Sequence, residues 1–195
     1  FAADDVSELP REETLYFAGQ QWGAVNSWNI MGTNQNNSMV IANTSGYRSL
    51  MFETLFMYNF LNGELTGLLA DSYEWNDDLT ELTCKIKSAA KWSDGTPVTA
   101  DDVVATWDVS TKIQNGTYTG YAPYIDSIEN KDCAVLIKAK LNEEGKPANP
   151  LQVLNFLTGV YIVQKAWAED LCAKHNDDQT AIRTDPTPDA VYSGH

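Results

Sequence analysis

The sequence has few positive charges and no long apolar run. Its 195 residues carry 13 Lys and Arg against 27 Asp and Glu, for a formal net charge of −14. Binding a polyanion requires a basic surface, so this charge argues against nucleic acid as a partner. It argues equally against direct docking on anionic lipid. No apolar stretch approaches ~18 residues, so the sequence predicts no transmembrane span.

The motifs that commonly carry catalysis or hold cofactors are also missing. The sequence contains no GxSxG elbow, no GxxxxGK[ST] or GxGxxG phosphate loop and no DxDxDG calcium loop. Of two histidines, His175 pairs only with Cys172, which gives two ligands where zinc takes three or four. The Asp101-Asp102 pair suits helix capping better than glycoside hydrolysis. We therefore expect no catalytic residues, no metal site and no cofactor.

Cysteine is scarce, and no CxxC pair is present among Cys84, Cys133 and Cys172. Cys84 and Cys133 each lie in or at the start of an apolar run typical of a strand. A free thiol packs there as a small apolar group. A Cys84–Cys133 disulfide stays open as the alternative.

What is present suits a packed α/β chain. Apolar residues make up 43% and aromatic residues 11% of the sequence, which excludes global disorder. The length suits one domain or a small pair of lobes. Alternation of apolar and polar residues around Asn and Asp turns predicts an antiparallel sheet. Its strands are expected near 73–76, 82–87, 125–129 and 133–140.

The strongest helix signal begins at Thr99. Asp102 follows three positions later, which predicts a capping box. The helix is expected over about Ala100–Ile113, with Trp107 on its apolar stripe and an end at Asn115-Gly116.

The remaining segments have weaker patterns. The predictions are a strand at 14–20, a helix at 50–55 that turns extended at 56–58, a helix at 151–157, a strand at 159–163, a helix at 165–175 and a polar loop at 176–188.

The segment 21–45, which follows the first predicted strand, is long, polar and without a helical or strand period. Loops of this length are often functional. Indole rings can stack on the apolar faces of sugar rings, and side-chain amides match neighbouring hydroxyls with one donor and one acceptor. These features predict a site for a neutral sugar, and the alternative is that the tryptophans pack beneath the loop while the amides form turns. The candidate ligand-binding residues are Gln20, Gln21, Trp22, Asn26, Trp28, Asn29 and Asn34.

A long, nearly gap-free motif carries a family resemblance. It reads KWSDGTPVTADDVV over 91–104, and FETLF at 52–56, Gly63-Glu64, LLA at 68–70 and Trp75 precede it. This pattern resembles the bacterial extracellular solute-binding proteins of family 5. These are the oligopeptide-, dipeptide- and cello-oligosaccharide-binding components of ABC importers.

The resemblance implies an α/β fold of the periplasmic-binding-protein type (type II, family 5), in which this chain forms the N-terminal part of lobe one with its inserted mixed subdomain. The expected division is a flexible lead at 1–13, the start of lobe one with a ligand-facing loop at 14–45, the extra subdomain at 46–160 and a truncated return toward lobe one at 161–195. Family members are much longer and have a second lobe, so we expect an N-terminal fragment. The motif at 91–104 is expected to be structural.

The resemblance also implies a function. The expected protein is a receptor and not an enzyme, and it delivers a neutral, cello-oligosaccharide-like ligand to the permease subunits of an ABC importer. It would act in the periplasm or at the extracellular face of the membrane, which it would touch only through a lipid anchor or the permease. A peptide receptor of the same family is the first alternative. A carbohydrate-active enzyme or carbohydrate-binding module is the alternative of another class.

Overall fold

The computed structural model describes residues 29–32, 52–186 and 193–194. The strand predicted at 14–20 lies outside these residues. In chain order the elements are β1 (Phe56–Asn59), β2 (Glu64–Gly67), β3 (Ala70–Trp75), β4 (Glu81–Ile86), β5 (Lys91–Trp92), α1 (Ala100–Ile113), α2 (Gly116–Tyr121), β6 (Ile125–Lys131), β7 (Ala134–Ala139), α3 (Pro150–Gly159), α4 (Lys165–Lys174), α5 (Gln179–Thr184) and β8 (Ser193–Gly194).

A hairpin opens the longest described stretch. β1 and β2 pair antiparallel, and Gly63 adopts the positive φ of 75° that their tight turn requires. The extended conformation predicted at 56–58 is confirmed. The helix predicted at 50–55 is wrong for residues 52–55, which form no helix. The carbonyl of Leu55 instead accepts from the N–H groups of Leu68 (3.0 Å) and Ala70 (3.2 Å), so contacts distant in sequence decide this segment.

The predicted antiparallel sheet is confirmed, with strand order β3-β4-β7-β6. Inward-facing side chains on its central strands, such as Leu82, Val135 and Ile137, are fully buried. The Asn76 side chain closes the β3–β4 turn because its Oδ1 accepts from the N–H groups of Thr80 and Glu81 at 2.9 and 3.0 Å. Burial alternates along most of β4, which matches the period that the sequence shows there.

Helix α1 begins with the predicted capping box at Thr99 and Asp102, and it spans the predicted residues. Its end differs from the prediction. Gln114 takes the left-handed position with φ 52°, and its own N–H bonds to the carbonyl of Ser110. Asn115 begins the next helix as the N-cap of α2, accepting from the N–H of Tyr118 at 3.1 Å. The Asn-Gly pair is therefore a start signal here and not a stop signal.

The C-terminal part contains two predicted helices, α3 and α4, and two corrections. No strand forms at 159–163: residues 160–164 have no regular structure, although Val160 and Ile162 are buried. The apolar run reflects burial without strand pairing. Residues 176–188 were predicted as a loop, but α5 lies within them and begins at the N-cap Asp178.

Among the residues that the structure describes, the buried apolar side chains form two clusters. The first, which we call the sheet core, surrounds the four-stranded sheet and includes Trp92, Val103, Trp107 and Phe156. The second, which we call the helix core, contains Met31, Phe52, Val109, Ile113, Val163, Ala168, Leu171, Cys172 and Ile182. Helix α1 contributes side chains to both. The domain boundary expected near residue 160 stays a prediction.

All three cysteines are free thiols, so this structure has no Cys84–Cys133 disulfide. Cys84 is buried in β4 as predicted, and burial raises its pKa to about 12. Cys133 departs from the prediction: it is exposed and lies in the turn between β6 and β7, with φ 65°.

Candidate functional site

Residues 29–32 are the described part of the predicted ligand-facing segment, and they lie against α5. The Asn29 side chain is only 2% exposed. Its Nδ2 donates to the carbonyls of Ile182 (2.7 Å) and Asp185 (3.0 Å). Its Oδ1 accepts from the N–H of Met31 at 2.9 Å. Both amide donors and the amide oxygen of Asn29 thus bond within the protein.

The neighbouring residues complete this contact. Met31 is buried in the helix core. A Cβ on Gly32 would lie 2.7 Å from the carbonyl oxygen of Arg183, a distance that real side chains do not tolerate. The absence of a side chain at Gly32 therefore lets the segment approach the backbone of α5.

Helix α5 is in turn held by polar contacts at both ends. Gln179 Nε2 donates to the carbonyl of Ile113, at the end of α1, at 2.6 Å. Just beyond α5, the Asp185 side chain is 3% exposed, and its Oδ2 lies 2.7 Å from Lys174 Nζ and 2.6 Å from His175 Nε2. A buried carboxylate is stable only with such partners, so this cluster fixes the backbone to which Asn29 bonds.

Of the predicted ligand-binding residues, Asn29 alone is described. Gln20, Gln21, Trp22, Asn26, Trp28 and Asn34 lie outside the described residues, and their assignment stays a prediction. The buried position of Asn29 gives it a structural role whether or not it also contributes to a ligand site.

The motif at 91–104 has the structural role that the sequence predicts. Asp102 is 4% exposed. Its Oδ2 accepts from the N–H of Thr99 (2.7 Å) and from Trp92 Nε1 (3.3 Å), while Oδ1 accepts from the N–H of Lys165 (2.7 Å). One carboxylate therefore caps α1 and joins it to the start of α4.

The turn in the same motif makes a second link to α4. Asp94 accepts from the side chain and N–H of Thr96 and from Gln164 Nε2, the residue that precedes α4. These hydrogen bonds, led by the Thr96 hydroxyl, lower the pKa of Asp94. The motif thus links the sheet core to the helix core through hydrogen bonds to Gln164 and Lys165, which lie more than 60 positions away in the sequence.

Two surface clefts lie within the described residues. A groove of about 650 Å³ between α1 and α4 is lined by charged side chains that include Asp101, Asp108 and Lys112. Burial raises the pKa of Asp108, and the Lys112 ammonium partly opposes that rise. A second cleft of about 540 Å³ lies between the β1–β2 hairpin and α3, where Tyr58 and Tyr73 are partly exposed. Asn29, the described residue of the predicted sugar site, lines neither cleft.

Within the described ranges, no group of three or more His, Cys, Asp and Glu side chains is arranged to hold a metal ion. No helix in those ranges has both the length and the hydropathy needed to cross a membrane.

The sequence predictions missed the residues that hold the backbone beneath residues 29–32, namely Asp185 and its partners Lys174 and His175. One local signal was available: Asp178 precedes Gln179–Thr184 as an N-cap and accepts from the N–H of Ala181 at 2.7 Å. Nothing local in the sequence indicates that the carbonyls at the end of this short helix receive Asn29.

Comparison with known proteins agrees with this fold. Residues 64–194 match the family described as bacterial extracellular solute-binding proteins, family 5 Middle. The chain is 39% identical over 75 residues to the periplasmic oligopeptide-binding protein OppA of Escherichia coli K12, covering 38% of this chain and 13% of OppA. It is 31% identical over 118 residues to the periplasmic alpha-galactoside-binding protein of Rhizobium meliloti 1021, covering 53% of this chain and 17% of that protein.

The same architecture is found in a solved structure from Thermotoga maritima, the periplasmic oligopeptide-binding protein of an oligopeptide ABC transporter with bound mannohexaose. The TM-score is 0.69 at 23% identity, and the match covers 94% of this chain and 30% of that one. This chain thus spans less than a third of the length of these relatives. Since the family match covers most of the sequence, the chain belongs to the bacterial extracellular solute-binding proteins of family 5.

Proposed function

We propose that the intact protein is a receptor that captures a solute outside the cytoplasm and delivers it to the permease subunits of an ABC importer. Membership of family 5, supported by the match over residues 64–194, is the observation that carries this proposal. The receptor would work in the periplasm or at the extracellular face of the membrane, attached by a lipid anchor. It would bind and release its ligand without changing it.

The ligand class we favour is a neutral oligosaccharide of the cello-oligosaccharide type. The segment at 20–37 combines two tryptophans with Asn and Gln and contains no charged residue. An uncharged ligand suits such a segment, because no ligand charge then needs a partner. Two relatives with sugar ligands in their names, the alpha-galactoside-binding protein and the mannohexaose complex, are consistent with this choice.

Peptide capture is the second candidate, and the 39% identity to OppA favours it. The two ligand classes differ in what a site must provide. A free peptide carries a charged amino and a charged carboxyl terminus, and each needs a charged or dipolar partner once it is removed from water. The candidate residues at 20–34 supply neither charge.

The test is a calorimetric screen of the intact protein against two panels, cello-, manno- and galacto-oligosaccharides on one side and di- to pentapeptides on the other. We expect binding from the sugar panel and none from the peptides. Binding confined to peptides would refute the sugar assignment and keep the receptor. Chromatography of the incubated sugars checks the remaining class, since shortened products would identify an enzyme.

Single replacements of Trp22 and Trp28 by Ala then test the candidate site. If each indole stacks on sugar, binding should weaken by about 1–3 kcal/mol, the range for truncating an aromatic anchor, with little change in Tm. A core tryptophan would instead cost about 3–5 kcal/mol of stability. Trp75→Ala is the matched control: Trp75 packs against the sheet core, so its loss should lower Tm and leave sugar affinity unchanged.

A further inference from the structure

Exposed apolar side chains are concentrated at the β1–β2 hairpin. Among the described residues, eight large apolar side chains are exposed, and six of these lie on the hairpin or line the cleft between it and α3: Met57, Tyr58, Phe60, Leu61, Tyr73 and Leu151. Phe60 and Leu61, at the tip of the hairpin, are 86% and 98% exposed. Scattered exposed apolar residues are ordinary, whereas a group of them around a cleft marks a surface that binds another molecule.

The walls of this cleft are set by strand pairing and by helix spacing. Tyr58 and Leu65 lie directly opposite each other in the β1–β2 pair, so their side chains share one face of the hairpin. The other wall is one face of α3, formed by residues at the spacing i, i+3, i+4 and i+7: Leu151, Leu154, Asn155 and Thr158. The enclosed volume of about 540 Å³ is that of an ordinary ligand site.

Each tyrosine of the cleft contacts a phenylalanine ring. The Tyr58 and Phe60 rings meet edge-to-face with centroids 5.2 Å apart, and the Tyr73 and Phe56 rings do so at 5.3 Å. Such contacts restrict ring orientation, so less order has to be imposed when a ligand binds. Aromatic rings attract cations through their electron-rich faces.

The cleft carries negative charge and no positive charge. Glu64 lines it, whereas no Lys, Arg or His does. Asn62 Nδ2 donates to Glu64 Oε2 at 2.8 Å, and Asn62 Oδ1 accepts from the N–H of Glu64 at 3.0 Å, which holds this residue in place. Among the described residues Glu64 forms no ion pair. The complement of the cleft is therefore a positive charge on an apolar stem.

We propose that this cleft is a docking site for a basic segment of a second protein. A Lys or Arg side chain of that segment enters the cleft, where its methylene stem packs on Tyr58 and Leu154 and its charge reaches Glu64. Apolar side chains beside it cover Phe60 and Leu61. The site is separate from the proposed sugar site, and the inference does not depend on the ligand that the receptor carries.

The groove between α1 and α4 is also acidic, but it lacks this combination. No aromatic side chain lines it. Its Lys112 lies 2.9 Å from Asp177 and its Lys165 lies 3.3 Å from Asp101, so basic side chains of the protein itself already pair with acids there. This groove is therefore the internal comparison for attraction by negative charge alone.

The test uses the intact protein at low salt and the peptide acetyl-Ala-Leu-Lys-Leu-Ala-amide, which has one charge. The same peptide with Gln or Glu in place of Lys is the matched probe. By calorimetry, the Lys peptide should bind about two- to fivefold more tightly than the Gln peptide, the range for a cation beside exposed aromatic rings, and the Glu peptide most weakly. Hydrogen exchange should show new protection at residues 57–65 and 151–158.

Two variants and their combination test the chemistry of the cleft. Glu64→Gln keeps the shape of the side chain and removes its charge, so the preference for Lys should fall. Tyr58→Leu keeps apolar bulk and removes the ring, and the double variant should lose the preference. Glu74→Gln is the control: Glu74 follows Tyr73 on β3, so its side chain points to the other face of the strand, outside the cleft.

Equal binding of the three peptides would overturn the proposal, as would a Lys preference that the double variant retains. Protection in the α1–α4 groove instead of at residues 57–65 would also overturn it, since charge alone would then attract the peptide. If sedimentation shows self-association that Phe60→Ser abolishes, the surface serves a second copy and the proposal is wrong. No sugar enters this experiment, so its outcome is separate from that of the proposed function. A peptide held at the receptor's own ligand site would bind Glu64→Gln unchanged.

Discussion

The sheet core and the helix core draw on the chain over very different distances. The sheet core lies within Leu55–Ile162, where β3 pairs with β4 and β6 pairs with β7 as consecutive strands, and the pairing of β4 with β7 joins the two hairpins. The helix core collects Met31, Phe52, the second half of α1 and side chains from Val163 to Ile182. Periodicity within a segment therefore specifies the first core, whereas the second depends on which distant segments meet.

Helix α1 connects the two cores. The largest expected losses of stability come from truncating a large buried side chain in either core. Phe156 is fully buried in the sheet core and makes edge-on contacts with Trp107 and Tyr121. Phe156→Ala should cost about 3–5 kcal/mol of unfolding free energy, and Ile182→Ala in the helix core about 2–5 kcal/mol. Urea unfolding followed by circular dichroism measures both.

We expect one cooperative transition in each variant, because Trp107 and Val109 on the same helix belong to different cores. The control is Leu151→Ala, whose side chain is 64% exposed and should cost little. A separate early transition in Ile182→Ala alone would show that the helix core unfolds independently, and the two regions would then be separate folding units.

The next largest effect is expected where the cores are joined. Asp102→Asn keeps the shape of the side chain but replaces one acceptor oxygen with an NH₂ group. At least one of the N–H groups of Thr99 and Lys165 then loses its partner, because both bond to this carboxylate at 2.7 Å. We expect a loss of about 2–3 kcal/mol, measured by urea unfolding.

Asp94→Asn is the comparison variant, since Asp94 is exposed and its loss should cost less than half as much. Equal costs for the two variants would mean that burial adds nothing at Asp102. The motif at 91–104 would then stabilise the protein through its turn at Asp94 and not through the buried Asp102 carboxylate.

The same contrast explains what the sequence could predict. The capping box at Thr99 and the alternation of apolar and polar residues in β4 are local patterns, and the sequence predicts both to within a residue or two. The helix at 52–55 and the strand at 159–163 were wrong because apolar residues there are buried by distant partners, such as the pairing of Leu55 with Leu68. Short α5 was missed because Ile182 is its single buried residue.

For the candidate site, the sequence indicates a chemical character but not which side chains face a ligand. The richness of residues 20–37 in indoles and amides suggested a sugar, but side-chain identity does not distinguish an amide that faces a ligand from one that bonds to backbone. Asn29 belongs to the second kind because Ile182 and Asp185, more than 150 residues away, supply acceptors. A hydrogen bond to such a distant backbone carbonyl produces no local pattern in the sequence.

A smaller pair of effects compares helix caps in the two regions. Asp178 caps α5 beside the helix core, and Asn149 caps α3 on the sheet core. Replacing either by Ala should cost about 1 kcal/mol in urea unfolding, the usual value of an N-cap. Asp178→Ala should in addition reduce amide protection at residues 29–32, which α5 supports, while Asn149→Ala should leave that protection unchanged. If Asn149→Ala reduced this protection and Asp178→Ala did not, α5 would not be what supports residues 29–32.

The smallest effect is expected at the Asp101 carboxylate, which joins α1 to both regions. Asn130 Nδ2 donates to Asp101 Oδ1 at 2.6 Å from β6, and Lys165 Nζ lies 3.3 Å from Oδ2 on α4. These contacts, Asn130 first, lower the pKa of Asp101 below the usual aspartate value of 3.8. A lowered pKa in the folded state contributes stability that is full above 3.8 and is lost as the pH falls through the lower, folded value.

Asn130→Ala should therefore raise the pKa of Asp101, as read from carboxyl chemical shifts in an NMR titration. It should lower stability slightly at pH 7 and less at pH 2, because protonated Asp101 gains little from the amide. The effect is small because the Asp101 side chain is 45% exposed and solvent screens its partners. In an Asp101→Asn background the pH dependence of the Asn130→Ala cost should vanish, as a double-mutant cycle requires. If Asn130→Ala costs the same stability at pH 7 and pH 2 in the wild-type background, Asn130 stabilises the protein through packing alone. The Asp101 carboxylate would then contribute no charge-dependent link between the two regions.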